Sequence, residues 1–320
     1  METLIEVTDV RRHFPVGASL LGPRPVVKAV DGVSFSIGTS ETLGVIGESG
    51  CGKTTMAKLV LGLDRPTDGS VRFRGDDLRT LTREAYREYR RSVQAVFQDP
   101  QSSLNPRMRV WQIVAEPLIA GQGVHRKQAR ERVIDVLSRV GIDASMADRF
   151  PHQFSGGQRQ RIAIARALAA RARVIVLDEP VASLDVSVRS QVLNLLKDLQ
   201  EQDQLSYLLI SHDLATSAYL CHRLAVMYLG RIVEMGPAEE IYRAPKHPYT
   251  RALLAAAEIT PLITAGEDEA VTDEIPSPIS PPPGCHFHPR CPRVMPQCSE
   301  REPILTAIAA GQYVRCHLYT

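Results

Sequence analysis

The sequence predicts an α/β protein with a helix-rich stretch inserted into its core. Three observations carry this. Compact apolar runs, "ETLGVIG", "VIVLDE" and "SYLLISHD", each sit beside a segment of helical spacing, the alternation that builds a mixed or parallel sheet. Near the N-terminus "LIEVTDV" and "VRFRG" alternate apolar and polar residues, as half-buried antiparallel strands do. Between about Thr82 and Phe150 the texture turns helical, broken by one strand-like run, "VQAVFQ".

In chain order, "PVGASLLGPRPVV" reads as a Pro/Gly-rich loop insertion between early strands. "KTTMAKLVLGL" from Lys53 has helical spacing, with Met56, Leu59, Val60 and Leu63 on one face. "REAYREYRRS", "RVWQIVAEPLIA" and "RKQARERVIDVLSRVG" follow as helices, the last closed by Gly141. "GQRQRIAIARALAARA" and "VRSQVLNLLKDLQEQ" are the helices flanking "VIVLDE", and "RLAVMYLGRIVEMG" is a hairpin turning near Gly230. Beyond Gly236 come two short amphipathic segments, a polar linker at 264–274, a proline run and a cysteine-bearing tail.

The 320 residues suffice for one large core with attachments or for two domains. A net charge of +2 is too small to be the footprint of a nucleic-acid binder. The N-terminus has no apolar stretch of signal-peptide form, and no window reaches the 18 or so apolar residues of a membrane span. The expectation is a cytosolic chain that reaches a membrane only through a partner.

"GESGCGKTT" (Gly47–Thr55) follows a strand and opens a helix, the context a phosphate loop requires. Gly47, Gly50 and Gly52 let backbone N–H groups turn inward around phosphate oxygens, with Ser49 and Cys51 between them. Lys53 reaches the β- and γ-phosphates, and the Thr54 hydroxyl, beside Thr55, suits Mg²⁺. The bland alternative is a Gly-rich turn that binds nothing. Asp178 and Glu179 emerge from the carboxyl end of "VIVLDE", where ligands of α/β sheets collect. There Asp178 is placed to hold Mg²⁺ through water and Glu179 to orient or deprotonate an attacking water. "FSGGQRQR" opens a helix with Ser155 as a cap candidate, and Gly156 and Gly157 expose backbone N–H groups before Gln158. It is a second anion site, one that makes sense if it faces the nucleotide of another subunit.

In this order, Gly47–Thr54, Gln98 in "VFQDP", Ser155–Gln158, Asp178–Glu179, "SLD" at Ser183–Asp185 and His212 in "ISHD" resemble the motifs of ABC transporter ATPases over roughly residues 4–236. The family signature more often begins with Leu where Phe154 stands. The resemblance implies a P-loop ABC-type ATPase core, an antiparallel β region, an inserted helical subdomain and a small Cys-rich C-terminal extension. It divides the chain into a core of 1–97 and 160–236, a helical subdomain of 98–159 with the signature at its end, and an extension of 237–320. It also implies roles. Gln98 senses Mg²⁺ and water, His212 contacts the γ-phosphate, and Asp185 acts across a dimer interface. Ser155, Gly156 and Gly157, with Gln158, clamp the γ-phosphate bound by the opposite subunit. Phe14 stacks on adenine or belongs to the core.

"APKHPYTRALLAA" (Ala244–Ala256) followed by "CHFHPRCP", with "VKAVDGVSF" earlier, looks like the extension of ATPases serving oligopeptide and dipeptide importers. Related branches import nickel, glutathione or other small solutes. The resemblance implies ATP and Mg²⁺ as cofactors, a second homologous or identical ATPase, two transmembrane permease subunits and, indirectly, an extracytoplasmic solute-binding protein. The chain then works peripherally at the cytoplasmic face of the cell (inner) membrane, without nucleic acid. A soluble ABC-type ATPase acting on DNA or ribosomes is the rival, and long coiled-coil or duplicated segments, its usual marks, are absent.

Four of the six cysteines close the chain: Cys285, Cys291, Cys298 and Cys316. Disulfides are rare in the cytosol. The gaps exceed the two-to-four-residue pairing usual for structural zinc. Four cysteines with Pro292 beside Cys291 are compatible with a [4Fe–4S] cluster, with which the family extension is also associated. Zinc, with help from His286, His288 or His317, and unligated thiols stay open, as does a redox-sensing module. A bound cluster is expected to clamp a tail too short to build its own core. The flanking histidines read as exposed, Cys51 as a small loop residue, Cys221 as a helix-end core residue and Trp111 as packing.

Overall fold

The structure is a computed structural model that describes residues 2–17, 24–257 and 276–320. The middle of the expected loop insertion (18–23) and the polar linker at 264–274 lie outside them. The chain forms two compact units, one of residues 1–4, 37–41 and 76–209, the other of 5–36, 42–75 and 210–320.

In the first unit the strands Ser206–Ser211, Val174–Asp178 and Val93–Val96 lie side by side in that order. Val93–Val96 runs parallel to Val174–Leu177, residue against residue. Val174, Ile175, Val176 and Leu177 have no exposed surface, which is why this strand is apolar on both faces. The helices Val110–Gln122, Arg126–Arg139 and Gly156–Ala169 pack on one another. They bury Val110, Ile113, Val114 and Leu118 against Ala129, Val133, Leu137, Ile162 and Ala165, the three-and-four spacing of the sequence. Trp111 is buried in this bundle, with Arg126 and Arg130 over its ring at 4.9 and 5.2 Å. The packing reading of Trp111 holds, and two cations cover the face that remains. Gly141, at φ 74°, ends the helix that precedes it.

In the second unit one sheet runs Thr306–Ala309, Gln312–Val314, Arg231–Pro237, Arg223–Tyr228, Thr42–Ile46. The last pair is parallel and the others antiparallel. The expected hairpin is there, its turn made by Leu229 (φ 42°) and Gly230 (φ 80°), two successive positive φ angles as a tight hairpin needs. In a separate sheet Thr3–Pro15 lies between Val26–Gly38 and Asp68–Phe73. The helix after the phosphate loop is Lys53–Val60. Leu63 is not part of its buried face: Gly62 takes a left-handed conformation at φ 63° and ends the run, leaving Leu63 52% exposed.

The C-terminal tail, too short for a core of its own, shares one: Phe287 is buried together with Ile46, Val226, Tyr228, Tyr249 and Leu254, and Cys285 and Cys291 pack against them. Phe287 meets Tyr228 edge-on at 5.3 Å and Tyr249 at 5.4 Å. Aromatic pairs of this kind add about 0.5–1.5 kcal/mol each beyond their buried area. The last strands also extend the sheet, Val314 facing Glu234. Asp31 is buried between Arg231 (2.7 Å) and His13 (3.0 Å), and Arg231 also pairs with Glu302 of the tail.

His247 is fully buried, its Nδ1 accepting from the Tyr249 N–H at 3.0 Å. Burial pushes its pKa from 6.5 to about 3. The unfolded chain therefore binds this proton at a pH where the folded chain does not, so stability is full above about pH 6.5 and falls as pH drops toward 3. His286, lowered to about 4 by burial, acts in the same direction. Glu234, raised by burial, opposes them. The expected result is an unfolding free energy that falls by about 1.4 kcal/mol per proton for each pH unit below about 6.5, read as a lower urea midpoint at pH 5 than at pH 7.5. His247→Asn, which keeps an acceptor for Tyr249, flattens that slope; an unchanged slope contradicts the assignment.

Candidate functional site

The phosphate loop belongs to the second unit. It leaves the fully buried strand Thr42–Ile46 and turns through Gly47 (φ 151°), Gly50 (φ 80°) and Gly52 (φ 111°). A Cβ at Gly52 would collide with the Ala29 carbonyl, and one at Gly47 with the Met227 carbonyl, so both positions need glycine for space as well as φ. Lys53 is buried, and its Nζ donates to the carbonyls of Gly47 (2.7 Å) and Glu48 (2.8 Å). This holds the ammonium under the loop arch. Ser49, Gly50 and Thr54 are exposed along the loop and the first helical turn, and Thr55 is half-buried. Cys51 is buried with its thiol 3.8 Å from Lys53 Nζ, and Gly230 donates to the Cys51 carbonyl at 2.9 Å. Cys221 caps the helix Leu214–Leu220 and packs against Gly44, as a core residue does.

His212, also in this unit, is exposed just after its strand. Phe14 is half-buried near the end of Thr3–Pro15, with the Arg12 guanidinium 4.2 Å over one ring face. One face is therefore already taken.

The first unit carries the acidic half. Gln98 and Asp178–Glu179 follow the carboxyl ends of two neighbouring parallel strands, so the fold brings them to one sheet edge. Asp178 and Glu179 are half-buried and Gln98 is exposed. Glu179 sits at φ 50°, a left-handed conformation that costs a non-glycine residue about 1–3 kcal/mol.

Ser155 caps the helix Gly156–Ala169 as the sequence predicts. Its hydroxyl accepts from the Gln158 N–H at 3.3 Å, and Gln158 Oε1 accepts from the Ser155 N–H at 2.9 Å. Gly157 lies so close to Val188 that no side chain fits there, while Ser155 stays exposed. Phe154 is buried behind the motif. Asp185 is exposed at the start of Val186–Asp203 without capping it, and the next residue, Val186, is 77% exposed.

A profile described as "ABC transporter" matches residues 30–182, and one described as "Oligopeptide/dipeptide transporter, C-terminal region" matches 233–298. The chain is 46% identical to the oligopeptide transport ATP-binding protein AppF of Bacillus subtilis, spanning all of this chain and 98% of that one. It is 44% identical to the dipeptide transport ATP-binding protein DppF of Escherichia coli over 98% of this chain and 94% of that one. The chain belongs to the ABC transporter ATP-binding protein family. Among solved structures, the dimeric post-hydrolysis state of the ATP-binding cassette MJ0796 bound to ADP and Pi superposes with a TM-score of 0.65 at 27% identity. The match covers 73% of this chain and 99% of that one. CbiO1 from Clostridium perfringens, part of the transporter complex cbiONQ, gives 0.66 at 26% identity, covering 76% and 92%. The ABC-type α/β fold expected from the motifs is therefore shown, and with it ATPase chemistry. Among the described residues no helix is long and apolar enough to cross a membrane.

The cysteine site is a different matter. Among the described residues no three His, Cys, Asp or Glu side chains form a group that could hold a metal ion. The zinc and iron–sulfur expectations thus find no ready-made cage. Cys285 and Cys291 pack against the aromatic core, Cys298 lies on the short helix Pro296–Glu300, and Cys316 follows the last strand. Burial, and then the nearby thiols, push Cys285 up to about 12. The flanking histidines are half-buried and bonded rather than exposed: His288 Nδ1 lies 2.9 Å from the Cys285 carbonyl and His317 Nε2 2.8 Å from that of Arg301.

Sequence reasoning missed Glu48, Tyr249 and Arg290. Glu48 Oε1 and Oε2 accept from Arg290 at 3.0 and 2.9 Å, and the Glu48 N–H donates to Tyr249 Oη at 2.9 Å. "KHPYT" and "HPRC" marked the family, yet nothing in them points 200 or more residues back to the loop.

Proposed function

We propose that this chain is the ATP-hydrolysing subunit of an importer of oligopeptides or dipeptides. One observation carries the reading: a phosphate loop with Lys53 held beneath its arch shares a unit and a hydrophobic core with the oligopeptide/dipeptide-type C-terminal region. Gly47–Thr55 cradle the ATP phosphates, Lys53 neutralises the β- and γ-phosphates, and Phe14 offers its open face to adenine. Thr54, Gln98 and Asp178 are the residues that would hold Mg²⁺, which would supply charge neutralisation on the phosphates. Glu179 takes the proton of the attacking water as the β–γ bond breaks to give ADP and phosphate. His212 steadies the γ-phosphate. Ser155, Gly156, Gly157 and Gln158 present N–H groups and a hydroxyl to the nucleotide of a second ATPase, identical or homologous, with Asp185 at the same interface. The extension from residue 237 marks the branch.

The partners in this reading are that second ATPase, two permease subunits and an extracytoplasmic solute-binding protein, with this chain at the cytoplasmic face of the membrane. Purifying the assembly from membranes and measuring its ATPase rate with and without peptide-loaded binding protein tests it. Peptide-dependent stimulation supports the reading; stimulation by nickel or glutathione alone moves the chain to another branch.

The four C-terminal thiols belong to the same reading as a cluster site. The support is that Cys285 and Cys291 pack against one hydrophobic cluster and the Cys285 N–H donates to the Cys298 carbonyl at 2.8 Å, which brings three of the four onto one patch. Cubane thiolates bind separate irons, so they need not meet at one ion. Its chemistry here is a structural tie for the tail. Anaerobically purified protein should show broad visible charge-transfer absorption and about four irons per chain. Iron-free, colourless protein sinks the cluster assignment.

A further inference from the structure

Glu48 is the second residue of the phosphate loop, and every polar group it carries is in use. Its carbonyl accepts from Lys53 Nζ at 2.8 Å. Its N–H donates to Tyr249 Oη at 2.9 Å. Its carboxylate accepts two parallel bonds from Arg290, Nη1 to Oε2 at 2.9 Å and Nη2 to Oε1 at 3.0 Å. Arg290 is itself buried, 9% exposed, with its guanidinium 5.8 Å from the rings of both Tyr228 and Phe287. The loop residue that holds the catalytic lysine is thus held in turn by two residues of the C-terminal region, Tyr249 and Arg290.

Two physical consequences follow. A bidentate Arg–carboxylate pair fixes orientation as well as distance, so the fork sets where the Glu48 carbonyl, and with it Lys53, stands. A carboxylate beside a phosphate cradle also repels an anionic nucleotide, and a buried guanidinium cancels that charge where water screens it poorly. An ordinary surface ion pair would do neither. We infer that Arg290 is a positioning residue through which the C-terminal region sets the shape and charge of the phosphate loop. The inference rests on the nucleotide-site reading above and adds a regulator to it: a change in the segment Cys285–Cys298 reaches Lys53 through Arg290 and Glu48.

The test is a set of variants in the full chain, with ATP affinity, ATPase KM and kcat, and thermal midpoint measured for each. Arg290→Ala should raise KM and Kd for ATP about tenfold, with kcat changing much less. Arg290→Lys should fall between, because a point charge lacks the fork. Glu48→Gln introduced into Arg290→Ala removes the uncancelled charge and should recover a good part of the affinity. Tyr249→Phe keeps the ring and loses only the acceptor, giving a smaller KM rise if Arg290→Ala proves too unstable to assay. A lowered thermal midpoint with KM within twofold of wild type in both Arg290→Ala and Tyr249→Phe would overturn the inference and leave a plain structural contact. Lys53→Ala is the separating control: if it binds ATP as wild type does, the nucleotide-site reading falls and this coupling with it.

Discussion

Glu179→Gln is expected to bind Mg-ATP normally and to turn over 10²–10⁴-fold more slowly, the usual contribution of a positioned general base. The side chain is almost isosteric, so the half-buried site at the end of Val174–Asp178 keeps its packing. What is lost is the carboxylate's capacity to take a proton. Steady-state ATPase assays beside nucleotide-retention measurements separate the two effects. Brisk turnover in the variant removes Glu179 from its role.

Lys53→Ala is expected to weaken ATP binding about 100-fold or more, since it deletes charge-assisted bonds worth about 1.5–3 kcal/mol each. It also leaves the carbonyls of Gly47 and Glu48 without their donor. A modest fall in thermal midpoint should therefore accompany the loss of affinity. Calorimetric titration with ATP reads the first and a melting curve the second. Affinity within a few fold of wild type contradicts the assignment of Lys53 to the phosphates.

Much of this was legible in the sequence because it is local. The four apolar residues before Asp178, the Gly-rich run before Lys53 and the Ser155–Gln158 capping box each declare their geometry within a few positions. The hairpin at Gly230 did so too. Where reading failed, the deciding contact was distant or concerned a boundary. Leu63 fits a helical face by spacing, yet Gly62 ends the helix first. The tail looks too short to have a core, and alone it is; Phe287 borrows one from Ile46, Val226 and Tyr228. The pair Glu48–Arg290 spans 242 positions and joins two motifs that each have a sufficient local explanation. Neither has a periodicity that would betray the other. Phe14 stays halfway: the sequence offers an aromatic at a strand end, and Arg12 already covers one of its faces.

The central claim is that nucleotide is held between two ATPase subunits, one giving the cradle of Gly47–Thr55 and the other the cap of Ser155–Gln158. Light scattering of the Glu179→Gln chain, produced together with the ATPase that shares its transporter, tests it most directly. The account predicts the mass of a single subunit without nucleotide, the mass of a pair with Mg-ATP, and loss of the pair when Gly156→Asp is added, a position where a Cβ meets only Leu184 at an ordinary 3.4 Å. A chain that stays single at saturating ATP, and in its Glu179 form hydrolyses at full rate while single, contradicts it.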